Sequence, residues 1–117
     1  MANYRAVRFE EIDPVACPCG QARRAFTDDP DRVASLHVVE ITEDSRTHYH
    51  KRLTEIYYFL EGEGEIELDG ERRPVKAGDG FLIKPGCRHR TIVPPGGRLL
   101  LLNVPVPAFD PEDEWFD

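Results

Sequence analysis

The chain has 117 residues, 40% of them hydrophobic, which suits one compact domain with a modest core. Fifteen basic residues stand against 22 acidic ones. The resulting charge of -7 argues against nucleic acid or anionic membrane as a partner, because both demand clustered Lys and Arg.

No apolar run approaches the roughly 20 residues that cross a bilayer. The opening MANYRAVRFEEI lacks the apolar centre of a secretory signal, and a cytoplasmic protein is expected. Three cysteines cannot form a complete disulfide framework within one chain. Ten prolines and nine glycines cut the chain into short pieces, which favours strands joined by turns.

Residues 1–29 read as an N-terminal strand arm. Within it Cys17 and Cys19 sit in CPCG, a spacing too poor in ligands for structural zinc, so a surface turn carrying two thiols is expected. VASLHVVEI, from Val33 to Ile41, is a strand rich in β-branched residues. It places His37 on the face of Val33, Val39 and Ile41, as a satisfied buried histidine or a residue behind the pocket.

EIYYFLEG and GEIELDGE are the next two strands. Asp69-Gly70 after them is a hairpin signal, since both central residues of such a turn need positive φ. Short strands follow around Val75 and from Phe81 to Ile83, then HRTIV and RLLLLNVPV. Many short strands at regular spacing predict an all-β sandwich or barrel over about residues 30–106. Leu99 to Leu102 are apolar on both faces, so a second copy or a loop should cover the outer one, and a homodimer is expected. The acidic tail, residues 107–117, is anchored by Trp115 and Phe116 or left to fray.

The chemistry concentrates in HYHKRLTEIYYFLEGEG. Strand residues two apart share a face, so His48 and His50 aim together, and a turn through residues 51–54 brings Glu55 back over them. His89 begins a new strand after the Pro85-Gly86 turn. Three imidazoles and a carboxylate suit one divalent transition metal: Fe, Mn, Ni, Zn, Co or Cu. With such an ion the site carries a net charge of about +1 and leaves positions for a small-molecule substrate. A lone His-x-His pair is more often a hydrogen-bonded surface feature, so the weight rests on its company.

HYHKRLTEIYYFLEG resembles the first cupin motif, with His48, His50, Glu55 and Gly62 in register. GDGFLIKPGCRH resembles the second, through Gly78, Asp79, Pro85, Gly86 and His89. The resemblance implies a double-stranded β-helix, a jelly-roll barrel, with His48, His50, Glu55 and His89 as metal ligands. Thr42, Lys84 and Val93 depart from the usual motif residues, and none is a ligand.

Tyr57 and Phe59 share parity with Glu55 and should point inward. Tyr57 is a candidate proton donor or acceptor beside Glu55, against the plainer role of an aromatic lining residue. Phe81, Ile83 and Ile92 are expected to complete the apolar interior. Arg46, Lys51, Arg52, Arg88 and Arg90 are candidates to hold an anionic group at the mouth.

A metal-dependent enzyme of the dioxygenase or isomerase/lyase type is the leading expectation. A metal- or ligand-sensing module and a metal-free structural barrel are the alternatives.

Overall fold

A computed structural model of the chain, describing residues 3–117, shows how that alternation becomes architecture. Nine strands follow in order: β1 (Val15–Cys17), β2 (Gly20–Ala25), β3 (Leu36–Ile41), β4 (Thr54–Glu61), β5 (Glu63–Leu68), β6 (Glu71–Lys76), β7 (Gly80–Ile83), β8 (His89–Ile92) and β9 (Leu99–Val106). Single turns of 3-10 helix at Phe9–Glu11 and Pro111–Asp113 flank them. One sheet has the order β1-β2-β3-β9-β4-β7 and the other β6-β5-β8, with antiparallel pairing throughout. The two form the all-β double-stranded β-helix that the motifs imply.

Register explains what lies inside. Directly paired residues of an antiparallel sheet share a face. One inward row therefore runs Ala22, Val39, Leu101 and Phe59 across four strands. All four are almost fully buried and, with Ile41, Ile66, Val75, Ile83 and Leu99, they make the apolar core. Burying a side chain such as Phe59 stabilises by roughly 1.5–3 kcal/mol.

Two residues along each strand comes a second inward row, Arg24, His37, Asn103, Tyr57 and Phe81. Glu55 lies one further step along β4, paired with Ile83 and Pro105.

Turn chemistry sets the strand ends. Asp69 and Gly70 take φ of 49° and 84°, as the β5–β6 hairpin requires. Gly62, with φ of 93°, lets β4 turn into β5 beside β9, where any side chain would overlap the Arg98 carbonyl.

Three expectations change. β3 starts at Leu36, because residues before it loop towards the barrel end, and Val33 is 69% exposed. Ile92 has the opposite parity to buried His89, Thr91 and Val93, so Thr91 takes the inward place expected of Ile92. Cys17 and Cys19 are joined in a disulfide across the β1–β2 turn, with Cα atoms 5.1 Å apart, instead of remaining thiols. Cys87 is free and packs against the core.

Candidate metal centre

Two sheets supply the four candidate ligands. Glu55 enters from β4, while His89 opens β8 and pairs with His48 through reciprocal main-chain hydrogen bonds of 3.1 and 2.9 Å. Residues 44–50 thus lie along β8, fastened also by Ser45 to Thr91 and by Asp44 to the Val93 amide. His50 follows two residues after His48, on the same side.

The structure brings all four together: one ligand atom from each lies within 4.8 Å of the others, and every residue is buried.

Their hydrogen bonds show which atoms are free. His48 Nδ1 donates to the Arg46 carbonyl at 2.9 Å, His50 Nδ1 to the Asp113 carbonyl at 2.7 Å, and His89 Nδ1 to the Cys87 carbonyl at 2.9 Å. A carbonyl only accepts, so each Nδ1 carries a proton, and in the neutral imidazole each Nε2 presents a lone pair. Asn103 donates to Glu55 Oε2 at 2.6 Å.

That leaves Glu55 Oε1 between His50 Nε2 at 3.0 Å and His89 Nε2 at 3.1 Å. Neither contact has the alignment of a hydrogen bond, so all three buried atoms lack a partner. Converging lone pairs without a shared proton repel unless a cation stands among them. The donor set fits a divalent transition metal.

Electrostatics agree. Burial alone would raise the Glu55 carboxyl, but close contact with His50 and His89 outweighs it and holds the group well below the usual range. Burial lowers His50, yet Glu55 more than compensates and its pKa rises. His48, dominated by burial and then by His89, is pushed down to about 4. The carboxylate draws positive charge towards the centre of the cluster.

Tyr57 is buried on the inward row, with its ring 6.0 Å from that of His89. Burial, then the Glu55 charge, pushes its phenol well above 10, so it keeps its proton. His37 is buried too. Ser35 Oγ accepts from the Phe109 amide and shares a hydrogen bond of 2.9 Å with His37 Nε2. Burial and then the Arg24 charge lower His37 to about 4.

The acidic tail is anchored, and its role was not visible in sequence. Trp115 exchanges main-chain bonds with Tyr49, and the Asp113 carboxylate accepts from the amides of Lys51, Arg52 and Leu53 at 3.0–3.1 Å. Asp113 therefore holds the turn between His50 and Glu55 while its carbonyl orients His50. Asn103 was missed as well, although its parity with Leu99 and Leu101 in RLLLLNVPV marks a polar residue facing inward.

Of the five basic candidates at the mouth, three are paired with carboxylates and two stack on aromatic rings of the tail. Arg46 lies 3.7 Å over Phe116 and Lys51 3.6 Å over Trp115. Arg52 pairs with Asp110, Arg88 with Asp117, and Arg90 with Glu67.

A β-helix barrel with three histidines and a glutamate converging on one interior point defines a small metal-ready jelly roll. The chain belongs to the cupin family: the pattern of the Cupin domain (Cupin_2) matches residues 35–105. A crystal structure of a protein from Planctomyces limnophilus is 40% identical, with a TM-score of 0.87 and 98% of each chain covered. Polyketide synthase CurC of Streptomyces cyaneus is 34% identical over 92 residues, 74% of this chain and 58% of that protein. L-ectoine synthase of Halomonas elongata is 40% identical over 58 residues, 47% of this chain and 42% of that protein. The chain thus spans about half the length of these two relatives. No helix among the described residues is long and apolar enough to cross a membrane.

Proposed function

We propose that the protein is a metal-dependent enzyme acting on a small organic molecule, of the dioxygenase or isomerase/lyase type. The observation that carries this reading is the convergence of unpartnered acceptor atoms from His50, Glu55 and His89 inside the barrel, with His48 beside them. These four residues would hold one divalent ion of Fe, Mn, Ni, Zn, Co or Cu. Bound there, such an ion supplies Lewis acidity or, if redox-active, electron transfer.

The chain's own groups provide the rest. Asn103 fixes Glu55 Oε2, and Tyr57 keeps a proton on its hydroxyl close to the ligands, available to orient a substrate oxygen or protonate it. Tyr57 and Glu55 are the proposed catalytic pair. Relatives named as synthases support catalysis over a sensing module.

The test is metal analysis of protein purified without chelators, followed by substrate screening with and without O2. About one metal ion per chain, lost in His50→Ala, is expected. Turnover that persists without O2 assigns the isomerase/lyase type, and oxygen-dependent turnover the dioxygenase type. No metal even after reconstitution would overturn the reading and leave a ligand-binding or structural barrel.

We also propose a homodimer. The outer face of the larger sheet exposes Ile56, Tyr58, Leu60 and Leu82 at 37–61%. They adjoin half-buried Leu100 and Leu102 of β9, an apolar patch that a second copy would bury. A monomer mass by light scattering at micromolar concentration would refute it.

A further inference from the structure

We propose that Arg24 is the anchor for an anionic group, a carboxylate or a phosphate, on the substrate whose other end meets the metal centre. This rests on the metal-dependent reading above and adds the substrate's chemical class.

Arg24 stands on the second inward row. It pairs with His37, which pairs with Asn103, the residue that fixes Glu55, and Asn103 pairs with Tyr57. A positive group thus shares a face with His37, Asn103 and Tyr57.

Arg24 is held differently from Arg23 and Arg90, and it shares with Arg46 the stacking on an aromatic ring. Arg23, its neighbour on the opposite face, donates to the carbonyls of Phe9 and Ile12, and Arg90 donates to Glu67. The Arg24 guanidinium lies 4.3 Å over the ring of Phe109, a contact that fixes its plane and leaves its N–H edges unused. Its Nε is buried and has no hydrogen-bond partner. Phe109 is itself buried and tied by its amide to Ser35 Oγ, so the platform is rigid.

A half-buried cation with unused donors is costly until an anion meets it. Two acidic groups lie nearby. Asp110 is already paired with Arg52 at 2.7 Å. Glu114 is half-buried and forms no ion pair with Arg24 among the described residues. Arg24, Thr27 and Phe109 also line an open cleft of about 380 Å³, which gives an anion a way in. The planar fork suits the two oxygens of a carboxylate or phosphate.

The test uses Co(II)-loaded full-length protein, whose visible spectrum reports on the ion. Azide, a small metal-binding anion, reads access to the centre alone. Malonate, succinate and glutarate span the two points at different lengths, and their monoamides lack the second charge. 3-Phosphonopropionate, set against succinate, distinguishes a phosphate-type group from a carboxylate.

One diacid is expected to bind about tenfold or more tightly than its monoamide, which keeps a single carboxylate, and the phosphonate to match or exceed succinate where the anchored group is of phosphate type. Arg24→Gln should erase that preference, Arg24→Lys should keep part of it, and azide binding should be unchanged in both. Equal binding of diacids and their monoamides, or a preference that survives in Arg24→Gln while azide titrates normally, would overturn the proposal. Loss of azide binding in Arg24→Gln would also overturn it, by placing the residue in the support of the centre. Failure of the wild-type protein to take up Co(II) would instead sink the metal reading, and failure of azide to reach a loaded centre would overturn this inference alone.

Discussion

Two rows of the barrel interior lie two residues apart on the same strands and do opposite things. Ala22, Val39, Leu101 and Phe59 pack an apolar floor. Arg24, His37, Asn103 and Tyr57 form a polar layer above it. The backbone is the same in both, so the difference lies in the side chains that strand periodicity presents to each level. The floor supplies stability, and the layer above gives part of it up by burying polar groups around the candidate ligand cluster.

The largest expected effect tests the floor. Phe59→Ala should cost about 3–5 kcal/mol in urea denaturation, while the folded fraction still takes up metal. Asp113→Ala, outside both rows, strips the acceptor from three amides and should cost about 2–3 kcal/mol. It should also weaken metal affinity, measured by competition with a chromophoric chelator. Equal affinity in that variant would show that the tail does not position His50.

Asn103→Leu extends the floor into the polar layer. Stability should fall by about 1–3 kcal/mol, because the buried Glu55 Oε2 loses its donor, and metal affinity should fall about 10–100-fold for the same reason.

The smallest effect concerns His37. Its pKa is lowered to about 4 in the fold, below the ordinary 6.5, so the unfolded chain binds the extra proton first. Stability is full above 6.5 and declines as pH falls towards 4. Between pH 7 and 5.5, metal-free wild type should lose about 1 kcal/mol more than His37→Gln. Parallel pH profiles would count against a buried neutral imidazole.

Much of this was legible in the sequence. Alternation and turn residues gave the strands from β3 to β9, and the His-x-His spacing with Glu55 and His89 singled out the residues that converge. Arg24 was not legible, because GQARRA lacks the apolar alternation that marks an inward face, and only its pairing with His37 supplies one. Asp113 acts on a turn some 60 residues away, a relation that no local pattern carries. The basic residues near the motif looked available because sequence does not show that the tail brings Asp110, Trp115, Phe116 and Asp117 to meet them.

The bond from His50 to the Asp113 carbonyl spans 63 positions of chain. Closing a loop of that length has an entropic cost that shorter pairings such as the β5–β6 hairpin avoid. The β3–β9 pairing of the barrel closes loops of comparable length, so orientation of His50 waits on the docking of the tail as the barrel itself waits on β9. A protease that trims the tail would leave His50 Nδ1 without its acceptor in a barrel whose strands are otherwise intact.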